Sequence, residues 1–298
     1  MKAWVENNFN TVIIMAFVMG LFVPGLNYVP VSAVIAMTGF LIFFACSKIR
    51  PEDFMAFDAF HVGIFSIVRF LLFPIALYYI CLPMIPELAS GVLLLSLMPA
   101  GVAVSALCAV SGGNVALGLS LTLITSVLAP VLVPAAFTFV GEGVNINVWD
   151  LFLTLLLIVM IPVLVYFLAA IRVRYVRQWV ERNTRFASVL LLALIMGLVV
   201  AQKRDVLIAE PMFVLSSIGI LGVLFSLYYL FGYLVSFKAD APRQIAVTYA
   251  SGAINNALAI TLAYVYFPAK VALFMVLSEV VWIAAIAGYQ MILAKKKA

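Results

Sequence analysis

An all-α polytopic membrane protein of ten transmembrane helices is the fold this sequence predicts, and three observations carry that expectation. Hydrophobic residues make up 67% of the chain and charged ones 10%, with a mean hydropathy of +1.24, a balance that excludes a soluble globular chain. Apolar runs of about 20 residues, the length a helix needs to cross a ~30 Å hydrocarbon core, recur from end to end. Basic residues fall at alternate gaps between those runs, as the preference of short cytoplasmic loops for Lys and Arg requires.

The first run, 10–29, follows a polar start containing Lys2 and Glu6 with no small-residue cleavage pattern after it, so it is expected to be retained rather than removed as a signal peptide. The second spans 31–48 and the third, 62–82, carries Arg69. The fourth, 87–110, is interrupted near its middle by Pro99-Ala100-Gly101, and the fifth, 115–140, holds Thr122 and Ser126 one helical turn apart. Four more follow at 150–171, 186–202, 211–237 and 243–267, the last interrupted by Ser251-Gly252 and Asn255-Asn256. The tenth, 269–293, carries Glu279. No stretch is left for a soluble domain.

Charge tests the count. With ten spans and the N-terminus inside, one side holds Lys2, Lys48, Arg50, Arg172, Arg174, Arg177, Arg182, Arg185, Lys238, Arg243, Lys295, Lys296 and Lys297, and the other holds Lys203, Arg204 and Lys270. An error of one span would scramble that separation, so both termini are expected in the cytoplasm, with the chain in the cell's inner membrane. The net charge of +5 is then explained by anionic lipid at the cytoplasmic leaflet and calls for no nucleic acid. No protein partner is evident. Cys46, Cys81 and Cys108 match no metal spacing and read as small apolar residues, and His61 reads as an interfacial polar residue at the entrance of the third span. No cofactor is indicated. An enzyme would need acids, histidines or nucleophiles within reach of one another, and the spans offer Glu279 alone.

Arg69 and Glu279 are the two charges inside apolar runs, and a central charge costs roughly 2.5–3.5 kcal/mol on insertion scales, so each reads as functional. From their distances to the span ends, both fall about 12–14 Å from the cytoplasmic edge of the hydrocarbon, a depth at which they can meet. The two helix breaks fall in the fourth span of each five-span half. An odd number of spans per half forces the halves into opposite orientations, so matched breaks predict an inverted repeat, 1–141 and 142–298, whose unwound segments meet near the midplane. Polar residues gather there: Ser105, Ser111 and Asn114 after the first break, and Ser251, Asn255 and Asn256 along the second. Adjacent Asn255 and Asn256 each have four hydrogen-bonding sites to satisfy, which implies partners, water or solute.

Leu97-Met98-Pro99-Ala100-Gly101, then Gly113-Asn114-Val115-Ala116-Leu117, then Ser126 through Pro134 (SVLAPVLVP), resemble the bile acid:sodium symporter family. Arg50-Pro51-Glu52-Asp53-Phe54 is similar to that family's turn after the second helix, and Gly252 through Ala259 (GAINNALA) to its ninth-helix motif. The resemblance covers nearly the whole chain. It implies a panel of spans 1, 2, 6 and 7 and a core of spans 3–5 and 8–10, with the broken fourth and ninth helices crossing in the core and solute held between core and panel. Pro99, Gly101, Ser105, Ser251, Asn255, Asn256, Arg69 and Glu279 are the substrate-site candidates it yields.

The departures bear on coupling. The family's two sodium ions are held by a fourth-helix Ser-Asn pair, Ser and Thr in the fifth helix, a third-helix Gln and a ninth-helix Glu-x-Gly-x-Gln-Asn run. On this chain the pair falls on Val104-Ser105, the fifth-helix Ser on Gly118 with Thr122 kept, the Glu on Ala250 and the Gln on Ile254, leaving Asn255. Thr122, Ser105, Asn255 and Arg69, which stands at the third-helix Gln, are thus the remnants of the ion sites. Sodium wants oxygen ligands. Arg69 can act as a tethered cation in the ion's place, bind an anion directly, or pair with Glu279, which stands at an Asn of the family's tenth helix; a carboxylate there also opens proton coupling. The expected function is secondary transport of a small or amphipathic organic anion, bile-acid-like or another carboxylate, with sodium coupling altered or absent. The alternatives are an auxin-carrier-like proton-coupled or uniport carrier, whose Asn-Pro crossover signature is missing here, and a non-transporting membrane receptor.

Overall fold

A computed structural model of the chain describes residues 2–23, 28–48, 59–140 and 146–297, and among these the regular structure is helical, with one isolated two-residue bridge and short turns between helices. A short α1 (Lys2–Asn7) leads into α2 (Phe9–Phe22) and α3 (Val31–Ala45). The third apolar run is α4 (Ala59–Ile67) and α5 (Phe73–Cys81), joined by a π-helical turn at Val68–Leu72. The turn has a local cause. Pro74 has no N–H, and its ring would press on the carbonyl four residues back, so the wind widens just before it and Phe73 N–H reaches back five residues to Val68 O. The same device recurs between α9 (Val148–Leu155) and α10 (Ile161–Arg172), where Ile161 N–H donates to Leu156 O ahead of Pro162.

Both sequence breaks are real ends of helices. The fourth run divides into α6 (Pro86–Leu97) and α7 (Ala103–Ser111), and the ninth into α13 (Ala241–Gly252) and α14 (Asn256–Tyr266). α7 stops at Gly112, whose φ of 80° only glycine adopts without strain, and Asn114 then accepts from Leu117 N–H to start α8 (Val115–Val140). The remaining long helices are α11 (Arg174–Ala209), α12 (Pro211–Val235) and α15 (Ala269–Lys297). α11 begins twelve residues before the expected start at 186. Hydropathy marks where lipid begins, and Arg174 to Arg185 carry the same helix on past it.

Among the described residues six helical segments are long and apolar enough to cross a bilayer: Val62–Cys81, Val115–Val140, Val148–Ala169, Arg174–Ala209, Pro211–Val235 and Ala269–Lys295. Four shorter apolar helices, Phe9–Phe22, Val31–Ala45, Pro86–Leu97 and Asn256–Tyr266, accompany them, and the chain is an integral membrane protein. The interior is built on α6, α14 and the first half of α15, which are buried almost all round. Large apolar side chains such as Ile64, Phe139, Leu157, Leu164 and Leu230 face outward, as a lipid solvent permits. Cys46 and Cys108 are buried and Cys81 half-buried, all three with free thiols. The Arg50–Phe54 loop and the side chain of His61 lie outside the described residues.

Since lipid tails are as apolar as leucine, helices in a membrane associate through close packing, and glycine makes that possible. α2 lies on α11 at Gly20, where a β-carbon would stand 2.5 Å from Gly197 O, and at Gly197, where one would stand 3.1 Å from Ala16 O. Gly20→Val should therefore cost about 1–3 kcal/mol of stability. The check is thermal unfolding of the detergent-solubilised protein, with Gly219→Val as control, because nothing lies within 4 Å of a β-carbon there.

Candidate functional site

The two breaks bind each other. Gly101 N–H donates to Ala253 O at 2.7 Å and Asn255 N–H to Pro99 O at 2.9 Å, closing an antiparallel bridge between Ala100 and Ile254. In a membrane interior an unpaired backbone group costs several kcal/mol, so two unwound segments with complementary edges satisfy each other as no lipid could. Gly101 is required here by approach: a β-carbon would sit 2.8 Å from Ile254 O and 3.0 Å from Ala253 O. From α8, Thr125 accepts from Ala100 N–H at 3.1 Å and Thr122 donates to Gly101 O at 3.2 Å, so the fifth apolar run holds the first break from behind.

Arg69, fully buried, clasps the other side of the crossing. Its Nη1 donates to Ser96 O at 2.9 Å, its Nη2 to Ser251 O at 2.6 Å, and its Nε to Ser251 O and Oγ at 3.1 and 2.8 Å. Ser96 and Ser251 are the penultimate residues of α6 and α13, so one guanidinium caps the carbonyl ends of both broken helices, where the helix dipoles are negative. The π-helical turn that carries Arg69 aims it there. Phe70, Phe73 and Tyr228 wall the cation with ring centroids 4.7, 5.5 and 4.5 Å away. Tyr228 is itself tied in: its hydroxyl shares a 2.6 Å hydrogen bond with Ser96 Oγ, and its carbonyl accepts from Ser251 Oγ at 2.7 Å.

On the opposite face of the crossing lies a cavity of about 750 Å³. Gly101, Asn255, Asn256 and Glu279 line it, whereas Arg69, Pro99, Ser105, Ser251 and Thr122 do not. Asn255 spends its side-chain oxygen capping α14 through Leu258 N–H at 3.2 Å, and the hydroxyl of Ser105 turns back toward Val102 O at 3.5 Å. The two buried charges do not meet: among the described ion pairs none joins Arg69 to Glu279, whose carboxyl lies instead beside the Asn256 amide. Neither Glu279 Oε1 nor the two polar atoms of Asn256 completes a hydrogen bond. The cavity runs to the end of the bundle that carries Asn10, Arg185 and Gln290.

Sequence reasoning missed Ser96, Thr125, Tyr228 and Trp282. Thr125 and Trp282 had a signal, each standing three residues after a singled-out position, Thr122 and Glu279, on the same helix face. Ser96 acts through its carbonyl, which no residue identity announces, and Tyr228 is one of 12 tyrosines with nothing in the sequence to set it apart.

Residues 10–210 match the Sodium Bile acid symporter family, a span that includes the first break, Arg69 and α11 and stops short of the second break. The chain is also similar to the uncharacterized sodium-dependent transporter YocS of Bacillus subtilis, 25% identical over 262 residues that cover 86% of this chain and 81% of that protein.

Arg69→Met keeps much of the bulk and removes every donor. It should leave the carbonyls of Ser96 and Ser251 unsatisfied at about 1–3 kcal/mol each. Thermal unfolding in detergent should fall well below that of Gly219→Val; an unchanged transition would mean that the guanidinium does not hold the crossing.

Proposed function

The chain belongs to the sodium bile acid symporter family, a membrane transporter rather than an enzyme, and on that premise we propose that it carries a small or amphipathic organic anion by alternating access without a sodium gradient. Ten spans in two inverted repeats, 1–141 and 142–298, with a panel of spans 1, 2, 6 and 7 and a core of spans 3–5 and 8–10, are the architecture this mechanism needs. The mutual bridge between the two breaks supports it.

The observation that carries the coupling proposal is Arg69 on the carbonyl ends of α6 and α13. Crossed broken helices leave a concentration of negative backbone dipole at the midplane, and a bound cation is one way to neutralise it. A guanidinium with four hydrogen bonds and an aromatic wall supplies that charge permanently. The oxygens a sodium ion would need are otherwise engaged or missing: Thr122 is bonded to backbone, Asn255 caps a helix, and positions 250 and 254 are Ala and Ile. A cation that never leaves cannot carry a gradient's energy, so transport follows the solute gradient, or a proton taken by Glu279.

Access fits one side at a time. The cavity opens toward the basic end of the bundle, which the charge distribution assigns to the cytoplasm, where Lys2 bonds to Arg182 O and Asn183 Oδ1. Toward the other end the same helices are latched by Thr38 to Thr261 at 2.6 Å, by Gln202 to Tyr264, and by Lys270 between Glu87 and Glu210 at 3.2 and 2.9 Å. That pattern corresponds to an inward-open state.

Proteoliposome uptake of a panel of organic carboxylates tests the proposal. Replacing sodium by choline should leave the rate unchanged within about twofold; a tenfold or greater loss, worth about 1.4 kcal/mol or more, would sink sodium independence. Absence of uptake for every carboxylate under any gradient would favour a receptor. Arg69→Gln should make sodium bind: its thermal stability should rise with sodium chloride over choline chloride, while the unsubstituted protein shows no difference.

A further inference from the structure

The inward cavity is charged in a way that a simple anion does not satisfy. Two ionisable residues line it: Arg185, exposed at the mouth, and Glu279, 1% exposed, at the depth of the helix breaks. Among the described residues no Lys or Arg forms an ion pair with Glu279. Its Oε1 completes no hydrogen bond, the Asn256 amide, 4% exposed, stands beside the carboxyl without closing one at Nδ2 and has no donor at Oδ1, and Trp282, one turn along α15, leaves its indole N–H unpaired. Native interiors pair nearly all such groups, and three on one cavity wall mark a place where a ligand supplies the partners.

The same wall also makes the opposite demand. Val102 and Ala103 open α7, and Asn255, Asn256 and Ala257 open α14, and all five line the cavity. Val104 N–H is bonded to Gly101 O, Asn256 N–H to Ile254 O and Leu258 N–H to Asn255 Oδ1, so what both helix starts turn to the cavity is chiefly the positive end of the dipole, which favours a carboxylate. Glu279, an acceptor when ionised, needs a donor, best a cation. An anion that brings a carboxylate alone would satisfy the helix starts and set a second negative charge beside Glu279.

We propose that the solute is a carboxylate that also bears an ammonium, narrowing the organic anion of the reading above to a zwitterion, whose carboxylate faces the N-terminal ends of α7 and α14 and whose ammonium is held by Glu279 and Asn256 Oδ1. This rests on the cavity being the transport site. The three donors of an ammonium match the two unpartnered acceptors on the wall with one to spare for water, and the desolvation of Glu279 is offset by a charge that arrives and leaves with the solute. Discrimination follows from the donor the solute brings: one without the ammonium offers nothing to Glu279 Oε1 and Asn256 Oδ1.

Isothermal titration of the purified full chain with L-phenylalanine and with phenylpyruvate, which differ by an ammonium or a keto oxygen at the same carbon, tests this. The amino acid should bind at least about tenfold more tightly, the scale of one charge-assisted hydrogen bond, and Glu279→Gln should bring the two within about twofold. Equal or tighter binding of phenylpyruvate by the unsubstituted protein, the result expected of a protonated Glu279, overturns the proposal. So do a preference that survives Glu279→Gln and the absence of binding by either probe. The comparison on the unsubstituted protein holds even if the variant misfolds. Ala106→Trp, which fills the cavity, separates the two levels. Phenylpyruvate binding abolished by it keeps the cavity as the site and removes the ammonium contact, whereas binding untouched by it overturns the site itself.

Discussion

One buried guanidinium holds the centre of this protein together. Arg69 reaches the last turns of two helices that approach from opposite ends of the chain and satisfies the carbonyls each would otherwise leave bare in a medium without water. In a soluble protein those carbonyls could turn to solvent and the helices could fray. In a bilayer interior the unwound segments persist because Arg69 caps one side of them, Thr122 and Thr125 brace another, and the segments bridge each other through Gly101 and Asn255. A permanent charge is tolerable at that depth because its donors are engaged and three aromatic rings cover the rest.

That arrangement divides the crossing of the two breaks into two faces with different work. On the Arg69 face every guanidinium nitrogen donates, and with the hydroxyls of Ser96, Ser251 and Tyr228 and the helix ends they form a closed network. On the cavity face the account is open, since Glu279, Asn256 and Trp282 lack partners. A closed polar network is rigid and specifies one arrangement, a constraint that the unpaired groups on the cavity face lack. The two expensive charges of the sequence therefore part company. One belongs to the architecture of the crossing and the other to the wall of the cavity.

The described contacts also show how a bundle so rich in lipid-facing side chains acquires a preferred conformation. Packing between α2 and α11 is dense at Gly20 and Gly197, and the cross-links that join α3 and α11 to α14 and α15 sit at the end away from the cavity's mouth: Thr38 with Thr261, Gln202 with Tyr264, and Glu210 with Lys270. These are single polar contacts of modest strength, buried at Thr38 and Thr261 and half-buried at Lys270 and Glu210, such as a conformational change can exchange. The closed network around Arg69, deep and cooperative, is the part such a change would leave intact.

Composition and the recurrence of 20-residue apolar runs determined that the chain is a helical membrane protein. Pro99-Ala100-Gly101 and Ser251-Gly252 determined where two of its helices end, because proline and glycine act through local backbone geometry that needs no knowledge of neighbours. Family likeness was legible for the same reason, in short motifs around those breaks. The length of α11 was not, since a helix can outlast its hydropathy once charged residues carry it beyond lipid. Tertiary structure alone decided what Arg69 and Glu279 do. Equal depth allowed them to pair, but which way a side chain points depends on the phase of its helix, and the π-helical turn before Pro74 reset that phase so that Arg69 meets Ser96 and Ser251 while Glu279 faces Asn256 and the cavity. Ser96 and Ser251 contribute through backbone carbonyls, which every residue possesses, so no sequence could have singled them out.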